Sequence, residues 1–285
     1  MIRNIAYFPS QCALNSGPVL AAALSSLTRA GVILESGSMT ADAAIIWSVL
    51  WHGRMQANRL VYDHYRTNGR PVVIIDVGTL HRGHTWKVSV NHTTALGYYG
   101  HTENLDFDRP NKLKLPKSTK RKSRAEILVA SQHRASLQTQ DLDLEIWIAQ
   151  MISDLRQYTD RDFIVRDHPR SRLDGNRLPP RVVRQQPARL KKSYDSYDFD
   201  ADYHAIINYN SGPGIMAGVV GTPVLVHESS LARPISFTAE KIDQPPIIDR
   251  EQWLVEISHT EYTIEEIEQG LWLKRLVKQL PIPGL

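Results

Sequence analysis

The chain has 285 residues, of which 42% are hydrophobic and 22% charged, a balance that excludes a disordered or fibrous polymer and leaves room for two domains of about 100 to 200 residues each. Its single cysteine, Cys12, excludes an internal disulfide framework and a multi-cysteine zinc site. No apolar run approaches the ~20 residues of a membrane span, and the opening MIRNIAYFPS lacks the apolar centre of a signal peptide, so the expected location is the cytoplasm.

In chain order, NIAYF (4–8) is a short apolar run. It is followed by an Ala/Leu-rich helix with Ser16 at its N-cap and Gly31 just past its end. ADAAIIW (41–47) reads as a buried strand, RMQANRLVYDHYRTN (54–68) as a helix closed by Gly69, and PVVIID (71–76) as another buried strand. Residues 80–111 show no clear period and read as a long functional loop region with one or two short strands. Alternation then resumes with EILVAS (126–131), a helix over about 141–158, DFIVRD (162–167), AIINYN (205–210), a short helix of small residues, and PVLVHE (223–228). Near the end, Thr263 and Glu266 have capping-box spacing before a helix interrupted by Gly270. Apolar strands alternating with helices predict parallel sheets covered on both faces. The expected division is an N-terminal Rossmann-like domain over 1–118, a second over 119–260, and a last helical segment, 261–285, packing back across the junction.

The net charge of +4 is concentrated. Residues 112–124 carry seven Lys or Arg and no acid, and residues 170–192 carry eight against one acid, Asp174. Such clusters attract polyanions, and they are equally the composition of a solvated linker and loop.

Ligands of open parallel sheets bind at the carboxyl ends of the strands, where loops and helix N-termini converge. Four such ends carry polar residues. Asp76 ends one strand and leads to Gly78, His81 and Arg82, with Asp76 and His81 the residue types for a general base. Ser131, Gln132 and His133 follow the next, and Gln132 suits a hydrogen bond to a base or sugar. His168, Pro169 and Arg170 follow the third, with proline holding the chain extended before it and His168 beside Arg170 suiting a phosphate. Ser211, Gly212, Pro213 and Gly214 open the small-residue helix, whose first N–H groups favour an anion. Each alone has an ordinary structural use as a cap, turn or close packing contact.

The combination of Gln132 after a strand, His168-Pro169 after the next, NSGPGIMAGVVGTPVLV (210–226) and ISHTEYTIEEIEQGLW (257–272) resembles the C-terminal half of the capsule polysaccharide Kdo-transferase family. More loosely, AAIIW and VVIIDVGTLHRG resemble that family's first half. The resemblance implies a GT-B-like α/β fold, two Rossmann-like domains with parallel sheets facing a cleft, and a glycosyltransferase using a nucleotide-sugar with no metal or cofactor. By position it implies that His168, Pro169, Ser211 and their neighbours Gln132, Arg170, Gly212 and Gly214 bind the donor, and that Asp76 or His81 is the base. Arg82, Tyr98 and Tyr99 would meet the acceptor.

The basic segments point to a polyanionic acceptor, and a hydroxymethylated pyrimidine in DNA is one that Tyr98, Tyr99, Trp51 or Trp86 would hold once flipped from the stack. A surface saccharide or lipid-linked acceptor is the alternative. Two other classes compete. A metal-dependent hydrolase would use His81, His84, His92, His101, Asp106 and Asp108. A non-catalytic nucleic-acid-binding protein would explain the charge but not the four polar strand ends.

Overall fold

The computed structural model describes residues 1–116, 125–187 and 203–285. In chain order the strands are β1 (Asn4–Tyr7), β2 (Ile33–Ser36), β3 (Ala43–Trp47), β4 (Val72–Val77), β5 (Trp86–Val90), β6 (Ile127–Ala130), β7 (Phe163–Arg166), β8 (Val182–Gln185), β9 (Ala205–Asn208), β10 (Val224–Val226) and β11 (Glu261–Tyr262). The α-helices are α1 (Gly17–Arg29), α2 (Asn58–Thr67), α3 (Arg109–Lys112), α4 (Leu144–Leu155), α5 (Gly212–Val220), α6 (Glu251–Ser258), α7 (Ile264–Glu268) and α8 (Leu271–Leu276). The chain divides into two compact units, Met1–Leu113 with Val255–Leu285, and Lys114–Leu254. The boundary expected at residue 118 lies outside the described residues, and the chain's last elements belong to the first unit from Val255 onward.

The first unit carries a six-stranded sheet ordered β11-β5-β4-β3-β1-β2. Strands β1 to β4 are parallel, as expected, and β5 and β11 are added antiparallel at one edge. One face is apolar: Val73 and Ile75 of β4, Trp86, Val88 and Val90 of β5, and Tyr262 of β11 join one core with α1 and α8. Because side chains alternate along a strand, Asp76, Lys87, Ser89 and Glu261 turn to the opposite face. The C-terminal segment is held by its own chemistry. Thr263 and Glu266 form the expected capping box, Gly270 takes a φ of 77° between α7 and α8, and Trp272, fully buried, donates Nε1–H to Ser26 Oγ at 3.1 Å. Ser16 stands at the N-cap position of α1, yet its hydroxyl donates back to Ala13 O and caps no helix N–H. Cys12 is buried.

The second unit carries a five-stranded, wholly parallel sheet ordered β10-β9-β6-β7-β8. Ile127, Val129, Phe163, Val165, Ala205 and Ile207 pack against Leu144, Ile148, Ile152 and Leu155 of α4. Small residues bring α5 close: a Cβ on Gly218 would stand 2.3 Å from Ile235 Cδ1 and 3.0 Å from Trp253. The chain leaves β6 for β7 and β8 on one side and returns to β9 on the other. Strand order therefore reverses between β6 and β9, where open α/β sheets gather their ligands. No helix among the described residues is long and apolar enough to cross a membrane.

Unit 1 contains a buried neutral histidine. His259 is 1% exposed; its Nδ1 donates to Val255 O at 2.7 Å and its Nε2 accepts from Asp106 N at 3.1 Å. Burial, with Arg275 and Arg109 nearby, pulls its pKa from 6.5 to about 4. The unfolded chain then binds this proton at higher pH than the folded one, so the stability held above pH 6.5 drains as pH falls toward 4. The thermal midpoint of the protein is expected to fall through that window, and His259→Asn is expected to flatten the fall. An unchanged slope in the variant contradicts this assignment.

Candidate functional sites

At the carboxyl edge of the second unit's sheet, polar side chains are tied into a row. Asn208, fully buried at the end of β9, donates Nδ2–H to Ala130 O at 2.9 Å and to Ser211 Oγ at 3.0 Å, and its Oδ1 accepts from Ser211 N at 2.8 Å. It thereby sets the start of α5 against the end of β6. Gln132 Nε2 donates to Asn210 Oδ1 at 3.1 Å, Gln132 Oε1 accepts from Asn210 N at 3.3 Å, and Asn210 Nδ2 donates to Ser229 Oγ at 2.9 Å. Ser229 Oγ lies 2.8 Å from His227 Nδ1. Gln132, expected to contact a base or sugar, is 3% exposed and uses both amide atoms on Asn210, so it shapes the edge.

Ser211 stands at the N-cap of α5 in extended conformation without capping it by its side chain, and Pro213 occupies the first turn. The turn's positive dipole end is left to whatever anion approaches. Gly214 permits this geometry, since a Cβ there would stand 3.0 Å from Val226 Cγ1 and 3.2 Å from Asn208 Oδ1. His168 follows β7, and its ring meets that of His133, after β6, edge to face at 5.2 Å. His168 Nδ1 accepts from Arg170 N, and His133 Nδ1 accepts from Ala135 N, both at 3.1 Å. Each neutral ring therefore carries its proton on Nε2. Pro169 is half-buried in the turn closed by Ser171 N on His168 O, and Arg170 is exposed. A cavity of about 560 Å³ beside the start of α4, lined by Arg134, Asp143, Glu145, Asp174 and Arg177 among others, includes none of the expected donor residues.

In the first unit, strands β4, β5 and β11 align charges in one row: Asp76 pairs in register with Lys87, and Lys87 with Glu261. Asp76 Oδ2 accepts from Ser48 Oγ at 3.1 Å, and its Oδ1 from Val77 N at 2.7 Å. Ser48, just past β3, is 5% exposed and holds a φ of 63°. A non-glycine residue in the left-handed region is strained, and such strain gathers at functional sites. Burial raises the Asp76 carboxyl above its ordinary range, against the opposing pull of Val77 N–H, Lys87, Ser48 and Arg82. Burial draws the Lys87 ammonium down, against Glu261 and Asp76.

Glu261, 1% exposed, clamps the loop that carries His81 and Arg82. Its carboxylate accepts from Thr79 N at 2.6 Å, Leu80 N at 3.0 Å and Thr85 Oγ1 at 2.7 Å. Arg82 is half-buried and acts electrostatically on both Asp76 and Lys87, whereas His81 is exposed, its ring 4.3 Å from that of His84. Tyr99 is 1% exposed, so it has no surface to offer an acceptor, and Tyr98 leans on the apolar core. Trp51 and Trp86, at 8% and 5% exposure, are likewise enclosed. These four aromatic residues were expected at an acceptor surface; Trp86 is enclosed as part of β5, one of the short strands expected in this segment, and Trp51 packs against Tyr62.

The residues named for a metal centre serve separate contacts. His92 Nδ1 takes Thr94, Asp106 pairs with Lys112 at 2.6 Å, and the ring of His101 meets Tyr99. Among the described residues no group of three or more His, Cys, Asp or Glu comes together to hold a metal ion.

No family model matches this chain, and no curated protein matches it. Solved structures do. The KpsC β-Kdo 2,4 transferase of Thermosulfurimonas dismutans superposes with a TM-score of 0.54 at 12% identity, covering 95% of this chain and 98% of that one. The KpsC β-Kdo 2,7 transferase of the same organism gives 0.52 at 12% identity, covering 95% and 99%. The chain thus shares the GT-B-like α/β fold of those transferases over nearly its whole length.

Gly78 tests the unit 1 arrangement. A Cβ there would lie 2.3 Å from Thr85 O and 2.5 Å from Glu261 Oε2, both fixed by the clamp. Gly78→Ala is expected to cost about 1–3 kcal/mol of stability by overpacking, read by chemical denaturation. A cost near zero would show that the clamp is loose.

Proposed function

We propose that this protein is a glycosyltransferase that moves a sugar from a nucleotide-activated donor to an acceptor hydroxyl, with no required metal ion or organic cofactor. The observation that carries the reading is the edge of the parallel sheet. Where strand order reverses, Ser211 and the start of α5 lie beside the end of β6, with His168 one strand away. Fold likeness to two Kdo transferases supports a nucleotide-activated sugar as the donor class.

In this reading the bond between the anomeric carbon and the donor phosphate breaks, and its electron pair leaves with the phosphate. His168, Arg170, Ser211 and the N–H groups of Gly212 and Gly214 hold that growing negative charge. Preorganised donors of this kind do the work that a metal ion does elsewhere. Pro169 fixes the chain that presents His168. The acceptor oxygen bonds to the anomeric carbon, and its proton passes to Asp76, a carboxylate made more basic by burial. Arg82 neutralises charge beside it. His81, exposed on its loop, is the less enclosed candidate of the two.

For the acceptor, a saccharide hydroxyl is the reading that the fold likeness favours. The DNA reading rests on the basic segments, of which residues 117–124 and 188–192 lie outside the described residues. Two of the described arginines of the second segment are paired with carboxylates, Arg177 with Asp143 and Arg184 with Asp167.

Calorimetry with CMP, UDP, GDP and ADP is expected to show one nucleotide preferred, with affinity reduced tenfold or more in His168→Ala and unaltered by EDTA. Asp76→Asn is expected to bind that nucleotide like the wild type yet lose sugar transfer by about 100-fold or more, the usual contribution of a positioned base. Binding of none of the four, or equal binding by His168→Ala, contradicts the donor assignment.

A further inference from the structure

We propose that Lys87 is the positioning residue of the unit 1 site, a counter-ion shared by Asp76 and Glu261 that couples the proton acceptor to the clamped loop. The inference rests on the reading of Asp76 as that acceptor.

Three observations carry it. First, register: on adjacent antiparallel strands Lys87 faces Asp76 on one side and Glu261 on the other, and directly opposed residues bring their Cβ atoms to about 4.5–5.5 Å. Second, burial: Lys87 is 7% exposed and Glu261 1%, and an amine and carboxylates this enclosed persist as charges only beside opposite charges. Third, alternation: WKVSV places Trp86, Val88 and Val90 in the core, so nothing in apolar packing calls for a lysine at 87. Its stem could be replaced by any aliphatic chain; its charge could not.

The groups acting on Asp76 come from every side. They are the Val77 N–H of its own strand, Lys87 from β5, Ser48 after β3 and Arg82 from the clamped loop, while Asp76 and Glu261 both act on the buried Tyr99. Arg82 is held on a loop that itself depends on Glu261. Lys87 alone is placed by sheet register against both carboxylates, so it is the residue through which the two sense each other. When Asp76 takes a proton, the ammonium keeps Glu261 as its partner, and the row passes from one net negative charge to neutrality without leaving an unpaired cation.

The test follows the Asp76 carboxyl by carbon-13 NMR across pH in the full chain, in the wild type and in Lys87→Met. Loss of the ammonium is expected to raise the Asp76 midpoint by about one unit or more, and to shift the acidic limb of the transfer rate to higher pH by the same amount. Lys87→Arg is expected to restore both. An unmoved midpoint in a folded Lys87→Met overturns the proposal. Should that variant fail to fold, the reciprocal measurement decides: in Asp76→Asn, the Lys87 side-chain resonance is expected to titrate at lower pH than in the wild type, and no shift overturns the coupling. Full transfer activity in Asp76→Asn sinks the base assignment on which the inference rests. An inactive Asp76→Asn with both midpoints unmoved sinks the Lys87 proposal alone.

Discussion

The carboxylate of Glu261 is the constraint on which the first unit turns. It arrives on a two-residue strand from the far end of the chain and accepts three hydrogen bonds from the loop that follows β4. A buried carboxylate without donors costs several kcal/mol, so the three hydrogen bonds tie strand β11 to the loop between β4 and β5. The clamp gives the end of β4 a defined environment: Asp76 has Ser48 on one side and Lys87 on the other, and Arg82 acts on it electrostatically. The C-terminal helices add apolar anchorage through Trp272, Leu273 and Leu276.

The second unit solves a related problem by neutral chemistry. Its sheet edge is organised by amides and hydroxyls, with Asn208 and Asn210 each making several directed bonds. No charge is buried in that row, so it shapes the edge without competing with an incoming anion. The two histidines beside it have their tautomers set by backbone N–H groups, which turns flexible polar side chains into fixed donors. One unit thus buries a row of alternating charges at the end of β4. The other ties its strand ends with amides and hydroxyls, and its buried Asp167, just past β7, is paired with Arg184.

Much of the fold was legible because the buried strands are apolar throughout. AAIIW, VVIID, EILVA, DFIVR and AIINYN each correspond to an observed strand, and Gly31, Gly69 and Gly270 mark helix ends with φ of 78°, 68° and 77°. What escaped is polar or short. ILES and VVRQ form the edge strands β2 and β8, half exposed and charged, and so carry no period-two apolar signal. WKVSV supplies one of the short strands expected within residues 80–111, but its bounds were not legible because its polar face is buried against charge rather than solvated. Glu261 lies 185 residues from Asp76 in sequence, the difference between positions 261 and 76, and no local pattern links them. Asn208 and Asn210 were in view, both just before the serine in NYNSGPG, and the signal passed over was their spacing of two at a strand end. Ser211, Gly212 and Gly214 opened a helix as expected.

Nucleotide binding at the edge of the parallel sheet is open to a direct test, amide chemical-shift mapping of the intact protein titrated with CMP and then with UDP. One of the two is expected to perturb the amides of Ser211, Gly212 and Gly214 together with those of His133 and His168, saturably and with EDTA present. Saturable shifts confined to other parts of the chain, or no saturable shift with either nucleotide, would contradict it.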